Sequence, residues 1–326
     1  MKRLTTLILI LLQVLLSACG GSMEQNGDEP EEKEKVPEVD EPAVIQVATC
    51  NLLKPSGRCD EMSLTMDKVR NALAYSIIGT GASLIAFNEL DATFLPGGTN
   101  DLKVMCGGIR PSWRWKLDWP NDITSAGTLA YSYSNGYAYD SAVLDHEASG
   151  YVWLAKSTDT WYTDPEKAYQ KVGSPERTCI WIRFRHKASS KRFYFFVSHM
   201  PTKDQGGAPN MAAVVNRFAA EKAGTLPAIL AGDMNFGPGK ETYNILTQWW
   251  TDSNTATWGT LSGSSASYHY DVDTFTKDRP DRRIDHILTR GCSASDYRTV
   301  VFTYSHDGNE WCPSDHLPVT ATITIE

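Results

Sequence analysis

The chain has 326 residues, 41% of them hydrophobic and 21% charged, so it can bury a large core, and one sizeable domain is the first expectation. Its formal net charge is −8. That balance argues against a protein that grips long nucleic acid through its phosphates, a local basic groove apart.

Lys2 and Arg3 precede an apolar run over residues 7–16, a length suited to an export signal and too short to span a bilayer. The run closes on Leu16-Ser17-Ala18-Cys19, which resembles a bacterial lipoprotein box. The resemblance implies cleavage before Cys19 and lipid attachment to its thiol. The mature protein would then be anchored to the cell envelope, on its periplasmic face or at the cell surface, without crossing the membrane. With residues 1–19 read as the signal, residues 20–42 follow as a flexible acidic tether, rich in Glu, Lys, Pro and Gly and poor in large apolar side chains. Residues 43–326 form the domain. Of seven cysteines, removal of Cys19 leaves an even number, which permits disulfides in an oxidising compartment. Cys292 with Cys312 is the favoured pair, whereas Cys50 and Cys179 sit in apolar runs and read equally well as core. No C-x-x-C spacing supports a structural zinc.

Residues 44–49 read as a first strand with Asn51 just beyond it, and residues 62–78 as an amphipathic helix ended by Gly79 and Gly81. Residues 83–87 are a second buried strand that hands over to Asn88-Glu89. Strand, helix, strand in that order predicts a right-handed parallel crossover, which would bring Asn51 and Glu89 out at one sheet edge. Residues 113–155 change to short aromatic and β-branched runs, at 113–117, 128–133, 142–144 and 151–155, expected as antiparallel strands. Residues 161–178 read as a polar loop. Two strands at 179–185 and 192–198 follow, joined by a basic turn, with His199 at the exit.

A helix over 210–223 leads to Pro227-Ala228-Ile229-Leu230-Ala231-Gly232-Asp233-Met234-Asn235, a buried strand delivering polar side chains at its C-terminal end and completing a second crossover. Asp233 and Asn235, two apart, face one way on extended backbone and can share a ligand. A short helix over 241–250 and strands at 283–288, 299–304 and 319–325 complete the reading. Two packed sheets with helices outside, an α/β/β/α four-layer sandwich, is the expected fold.

The residues at strand exits, in order, are Asn51, Glu89, His199, Asp233 with Asn235, Asp285 within Arg283-Ile284-Asp285-His286-Ile287-Leu288, and Asp315-His316 within Ser314-Asp315-His316-Leu317-Pro318. This series resembles the endonuclease/exonuclease/phosphatase superfamily, the DNase I-like fold, across residues 43–326. The resemblance implies phosphoester hydrolysis, with Glu89 as the principal Mg2+ carboxylate, Asn51 beside it and Asp315 supporting the site. An oxygen-only set with few protein ligands suits Mg2+, with Mn2+ as a substitute. His316 would be a base or a cation facing the phosphate, with Asp285 fixing its tautomer, and Asp233 is the rival base. Asn235 would bond phosphoryl oxygens, and His199 would donate to one of them or protonate the leaving group.

Asp285 lies in an apolar strand and needs a partner, the simplest being Arg282 or Arg283. Arg177-Thr178 resembles a phosphate-clamping pair, and Tyr268 and His269 are further candidates for the pocket wall. The chain departs from the family pattern at Asn88, where Gln is usual, and just after His199, where many members carry a second His and this chain has Met200-Pro201-Thr202-Lys203-Asp204.

Three functions fit: a Mg2+-dependent phosphatase or phosphodiesterase held at a membrane and acting as a monomer on a small or lipid-linked phosphoester; a secreted nuclease using the basic turn at Lys187, Lys191 and Arg192; and a non-catalytic binding lipoprotein whose tryptophans, Trp113, Trp115, Trp119, Trp153 and Trp161 among them, form a stacking surface.

Overall fold

The structure is a computed structural model that describes residues 41–53, 66–90, 112–117, 134–155, 159–163, 177–203, 206–256, 266–268, 282–306 and 308–326. The signal, the tether up to residue 40, Cys19, Cys59, Cys106 and His269 lie outside the described residues. A compact unit runs from Asp40 to Glu326. No helix among the described residues is long and apolar enough to cross a membrane.

In chain order the elements are β1 (Ala43–Asn51), α1 (Met66–Thr80), β2 (Leu84–Leu90), β3 (Trp113–Leu117), β4 (Ser134–Asp140), β5 (Leu144–Leu154), β6 (Trp161–Tyr162), β7 (Arg177–His186), β8 (Arg192–Ser198), α2 (Ala208–Ala223), β9 (Ala228–Asp233), α3 (Glu241–Leu246), β10 (Thr251–Asp252), α4 (Ser253–Ala256), β11 (Asp285–Arg290), β12 (Ser293–Thr299), β13 (Tyr304–His306), β14 (Asn309–Trp311) and β15 (Val319–Ile325). One sheet has the order β12-β15-β1-β2-β4-β3, the other β10-β11-β9-β8-β7-β5-β6. Both expected crossovers are present: β1 pairs parallel with β2, Asn51 beside Asn88, and β8 pairs parallel with β9.

Three apolar clusters separate four layers. Between the sheets, Ile45, Val47, Leu84 and Ala86 of one meet Phe193, Phe195, Val197, Ile229 and Ala231 of the other. The alternate residues face outward. Ala48, Cys50, Ile85 and Phe87 pack under Leu73 and Ile77 of α1, and Tyr194, Phe196, Ala228 and Leu230 pack under Met211, Val214, Val215 and Phe218 of α2. A strand covered on both faces has no solvent side, which is why β8 and β9 read as unbroken apolar runs. Helix α2 starts behind Gly207 with Pro209 in its first turn and stops at Gly224, whose φ is 58°. Trp113 is buried with the α1 cluster and Trp161 packs on Phe218, so both serve the core rather than a stacking surface.

Several expectations are corrected. Residues 134–140, to which no strand was assigned, form β4, whose Asn135 side chain bonds across to the other sheet. The run at 142–144 is mostly turn, and residues 300–303 are not strand, so the expected strand at 299–304 is the end of β12 and the start of β13. The run at 128–133 lies outside the described residues. Cys292 and Cys312 are not joined, and the Cys292 thiol instead contacts the carbonyls of Arg290 and Ala228, at 3.5 and 3.7 Å.

The two parallel strands of the second sheet meet most tightly at Gly232. Its φ is 149°, and a Cβ there would fall 1.9 Å from the Ser198 carbonyl oxygen. Only glycine lets β9 reach this close to the end of β8, so Gly232 sets where Asp233 emerges. Gly232→Ala is expected to cost about 3 kcal/mol or more, read as a lower urea midpoint. An unchanged midpoint would mean the strand ends are free to part.

Candidate active site

The C-terminal ends of β1 and β2 in one sheet, and of β8 and β9 in the other, open at the same end of the sandwich. There Asn51, Glu89, His199 and Asp233 come together, joined by Asn235, Asp285 and His316. Glu89 Oε1, one His199 nitrogen and an Asp233 oxygen lie within 4.8 Å of one another, and so do ligand atoms of Asp233, Asp285 and His316. Asp233 therefore belongs to both groups.

Each side chain is aimed by its backbone. Glu89 has φ 54° and Asn235 φ 57°, uncommon conformations for residues with a Cβ. Glu89 sits where the β2–β4 register slips between Phe87 and Leu90. Asn235 is turned by a hydrogen bond from its N–H to Asp233 Oδ1 at 2.8 Å, an Asx turn that also fills one acceptor site of the carboxylate. Asn235 Nδ2 donates to Met200 O at 2.7 Å and lies 3.0 Å from His199 Nε2.

Asn51 stands between the carboxylates. Its Nδ2 donates to Asp233 Oδ2 at 3.0 Å and to Glu89 Oε1 at 3.2 Å, while Leu53 N–H occupies its oxygen. The amide thus spaces two like charges and presents a donor to the site.

Asp285 is the register partner of Asp233 across β9 and β11. Its Oδ2 lies 2.7 Å from His316 Nδ1, while Arg283 donates to Asp252 at 2.7 Å. The expected arginine partner is therefore taken elsewhere. His316 Nε2 looks toward Asp233 Oδ2 at 3.8 Å and Asp315 Oδ1 at 3.9 Å. Asp315 stays on the more open rim and belongs to neither close group. The Tyr268 ring packs at 4.8 Å on His316. Arg177, buried, brings a guanidinium nitrogen to 3.4 Å from His199 Nδ1, so it lies behind that imidazole.

Asn88, the departure from the family pattern, is fully buried and has work of its own. Its Oδ1 accepts the Asp233 N–H at 2.8 Å, and its Nδ2 donates to Asn135 Oδ1 at 2.6 Å and to Ser198 O at 3.2 Å. Asn135 in turn donates to Thr178. This chain of amides ties the two sheets together directly under the carboxylates. Sequence reasoning missed Asn135, whose only signal was a turn-like Asn-Gly, and Ser267, which carried none.

The cluster is rich in buried negative charge. Burial, and then Asp285, push the Asp233 carboxyl up to about 7 against the opposing pull of His316 and the Asn235 N–H. Burial alone would lower His316, but Asp285, Asp315 and Asp233 outweigh it and hold the imidazole well above its usual value. Asp285 Oδ1 is buried and has no hydrogen-bond partner among the described residues. Glu89 and Asp233, with a His199 nitrogen within 4.8 Å, are a donor set that could hold a divalent cation, and Asp233, Asp285 and His316 form a second such group.

No protein-family model and no curated protein matches this sequence. Solved structures do match the fold. An endonuclease/exonuclease/phosphatase family protein from Bacteroides thetaiotaomicron superposes with a TM-score of 0.68 at 21% identity, over 88% of this chain and 96% of that one. A mannosyl-6-phosphatase from the same organism gives 0.66 at 22% identity, over 86% and 99%. D. rerio TDP2 complexed with a single-strand DNA product gives 0.61 at 12% identity, over 86% and 99%. The fold is that of the endonuclease/exonuclease/phosphatase proteins, as the order of strand-exit residues implied.

Both Asp233 and His316 hold protons more tightly in the folded chain than in the unfolded one. Without metal, stability should therefore fall as pH rises, for Asp233 between 3.8 and about 7 and for His316 upward from 6.5. Melting in EDTA at pH 5 and pH 8 should show the lower Tm at pH 8, and Asp233→Asn should flatten the difference. An Asp233→Asn profile parallel to the parent's would contradict this charge balance.

Proposed function

We propose that the chain is a Mg2+-dependent phosphoester hydrolase, and the observation that carries this reading is the convergence of Glu89, Asp233, His199 and the Asp285–His316 pair at one sandwich end. Glu89 would hold the cation, with Asp233 facing it and Asn51 keeping the two carboxylates apart. When bound, Mg2+ would neutralise charge on the phosphoryl oxygens and acidify a nearby water.

The protein side groups divide the remaining work. Asp233, with a carboxyl pushed up to about 7, suits the base that takes the proton of the attacking water. His316 is held well above the usual imidazole range, which suits a cation facing the phosphate, with Asp285 fixing Nδ1. Without the cation the balance of charge favours Asp233 as base; Mg2+ beside Glu89 would lower the Asp233 carboxyl, so His316, 3.8 Å from Asp233 Oδ2, stays the rival base. Asn235 and His199 face the same space and would bond phosphoryl oxygens as charge develops there.

A small or lipid-linked phosphoester is favoured over long nucleic acid. The basic turn is partly offset from β5, where Asp145 pairs with Arg185 and Lys187, and Glu147 pairs with Arg183 and Arg192. Such exposed pairs add little stability and leave the turn positive, so the preference rests on the net charge of −8, which gives a long phosphate backbone little to hold. The fold likeness to a mannosyl-6-phosphatase supports trying sugar phosphates first. The lipoprotein-like Leu16-Ser17-Ala18-Cys19 supports export and membrane anchoring. Cys19→Ser should move the protein from the membrane fraction to the soluble one, and retention in the membrane would overturn the anchor.

Hydrolysis of mannose 6-phosphate, p-nitrophenyl phosphate, bis-p-nitrophenyl phosphate, RNA and single- and double-strand DNA, with Mg2+ and with EDTA, tests the reaction. Turnover of a small ester that EDTA abolishes is expected, and DNA cutting without any small-ester turnover would replace this reading with a nuclease. Glu89→Gln and His316→Ala should each lower turnover by ~10²-fold or more; Tm should stay nearly unchanged in Glu89→Gln and fall in His316→Ala, which leaves the buried Asp285 without its partner. Activity within a few-fold of the parent in either variant would reject the roles.

A further inference from the structure

Asp285 and His316 arrive from different parts of the chain, 31 residues apart, yet their side chains meet at 2.7 Å. Neither belongs to a strand that hydrogen-bonds to the other's: β11 carries Asp285 at its first residue, and His316 sits in the segment before β15, whose strand is in the other sheet. Something must hold the two backbones in register across the gap between sheets.

The short segment Ala266, Ser267 and Tyr268 lies between them. Ser267 is fully buried, and its Oγ accepts two backbone N–H bonds, from Asp285 at 3.0 Å and from Ile284 at 3.2 Å. Its own N–H and that of Tyr268 reach Arg282 O, at 3.3 and 3.1 Å. On the opposite side its carbonyl accepts Leu317 N–H at 2.7 Å, and Tyr268 forms an isolated antiparallel bridge with His316. One residue therefore grips the carboxylate's backbone with its side chain and the imidazole's neighbour with its main chain.

A serine is well suited to that place. Asp285 is the first residue of β11, so its N–H and that of Ile284 stand at a strand entrance with no ladder partner of their own. A hydroxyl oxygen with two lone pairs answers both at once. A buried Ala would leave two N–H groups unpaired, and the strand entrance would shift to find other acceptors.

We propose that Ser267 is the positioning residue of the Asp285–His316 pair, setting the distance between carboxylate and imidazole without touching substrate. For its kinetic consequence this rests on the hydrolase reading above; for its structural consequence it does not. A displacement of a fraction of an ångström at such a pair is felt in turnover more than in binding.

The test follows the low-field proton resonance of His316 Nδ1–H, identified by its disappearance in His316→Ala. In Ser267→Ala it should move upfield or broaden away, with kcat on the best panel substrate down about tenfold and KM within about twofold. Ser267→Cys fills nearly the same space with a poorer acceptor and should shift the resonance in the same direction by less. Ser267→Thr restores the oxygen and should restore both signals. Val152→Ala, in the α2 cluster far from the pair, is the control for a general loss of stability: it should lower Tm and leave the resonance in place. A resonance unmoved in folded Ser267→Ala, or in Ser267→Cys should the former not fold, overturns the proposal whether or not the chain turns over any substrate. A moved resonance in a chain inactive on every ester would retain the positioning role and remove the hydrolase reading instead.

Discussion

Asp233 and Asp285 stand opposite each other on paired antiparallel strands, buried, with Glu89 on the next sheet turning toward the same space. Like charges facing each other across a strand pair repel, and burial makes each of them dearer still. The end of the sandwich is organised around containing that repulsion. Asn51 donates to two of the carboxylates, His316 takes the third, the Asn235 N–H caps one oxygen of Asp233, and the Asp233 carboxyl is pushed up toward neutrality. What is left over is a buried Asp285 oxygen with no donor among the described residues.

The fold supplies the rigidity this needs. Four layers place the strand ends of both sheets at one opening, and the polar chain from Thr178 through Asn135 and Asn88 to the Asp233 backbone fixes one sheet against the other beneath it. Asn88 joins the Asp233 backbone to Asn135, and through it to Thr178. On the other flank Asp252, Arg283, Tyr243 and His286 form a buried network. Burial would raise the Asp252 carboxyl, but His286, the Arg283 guanidinium and the Tyr243 hydroxyl beside it hold it well below the usual carboxylate range. His286 also reaches Phe236 O at 3.0 Å, which pins the turn carrying Asn235 to the strand carrying Asp285.

Much of this was legible in the sequence because two signals coincide. Apolar runs such as Ile229-Leu230-Ala231 announce strands buried on both faces, and the abrupt change to Gly232-Asp233 or Asn88-Glu89 announces their exits, so the crossovers and the strand-exit residues follow from local pattern. What was not legible depends on partners distant in sequence. Asn135-Gly136 has the composition of a turn, and only the approach of Thr178 and Asn88 makes it strand. Ser267 is one serine among many until the fold brings Ile284, Asp285 and Leu317 around it. Arg283 was the obvious neighbour for Asp285 by spacing, but Asp252, 31 residues earlier, claims it. The Cys292–Cys312 pair failed for the same reason: proximity to one hairpin says nothing of where the thiols point.

The central claim is that this crowd of carboxylates and imidazoles is built around a divalent cation. Crystals soaked in Mn2+ and measured at a wavelength where manganese scatters anomalously would test it most directly. The account predicts a strong anomalous peak beside the Glu89 carboxylate, lost in Glu89→Gln. A map with no peak there, or with manganese bound only at surface carboxylates away from Glu89 and Asp233, would contradict it.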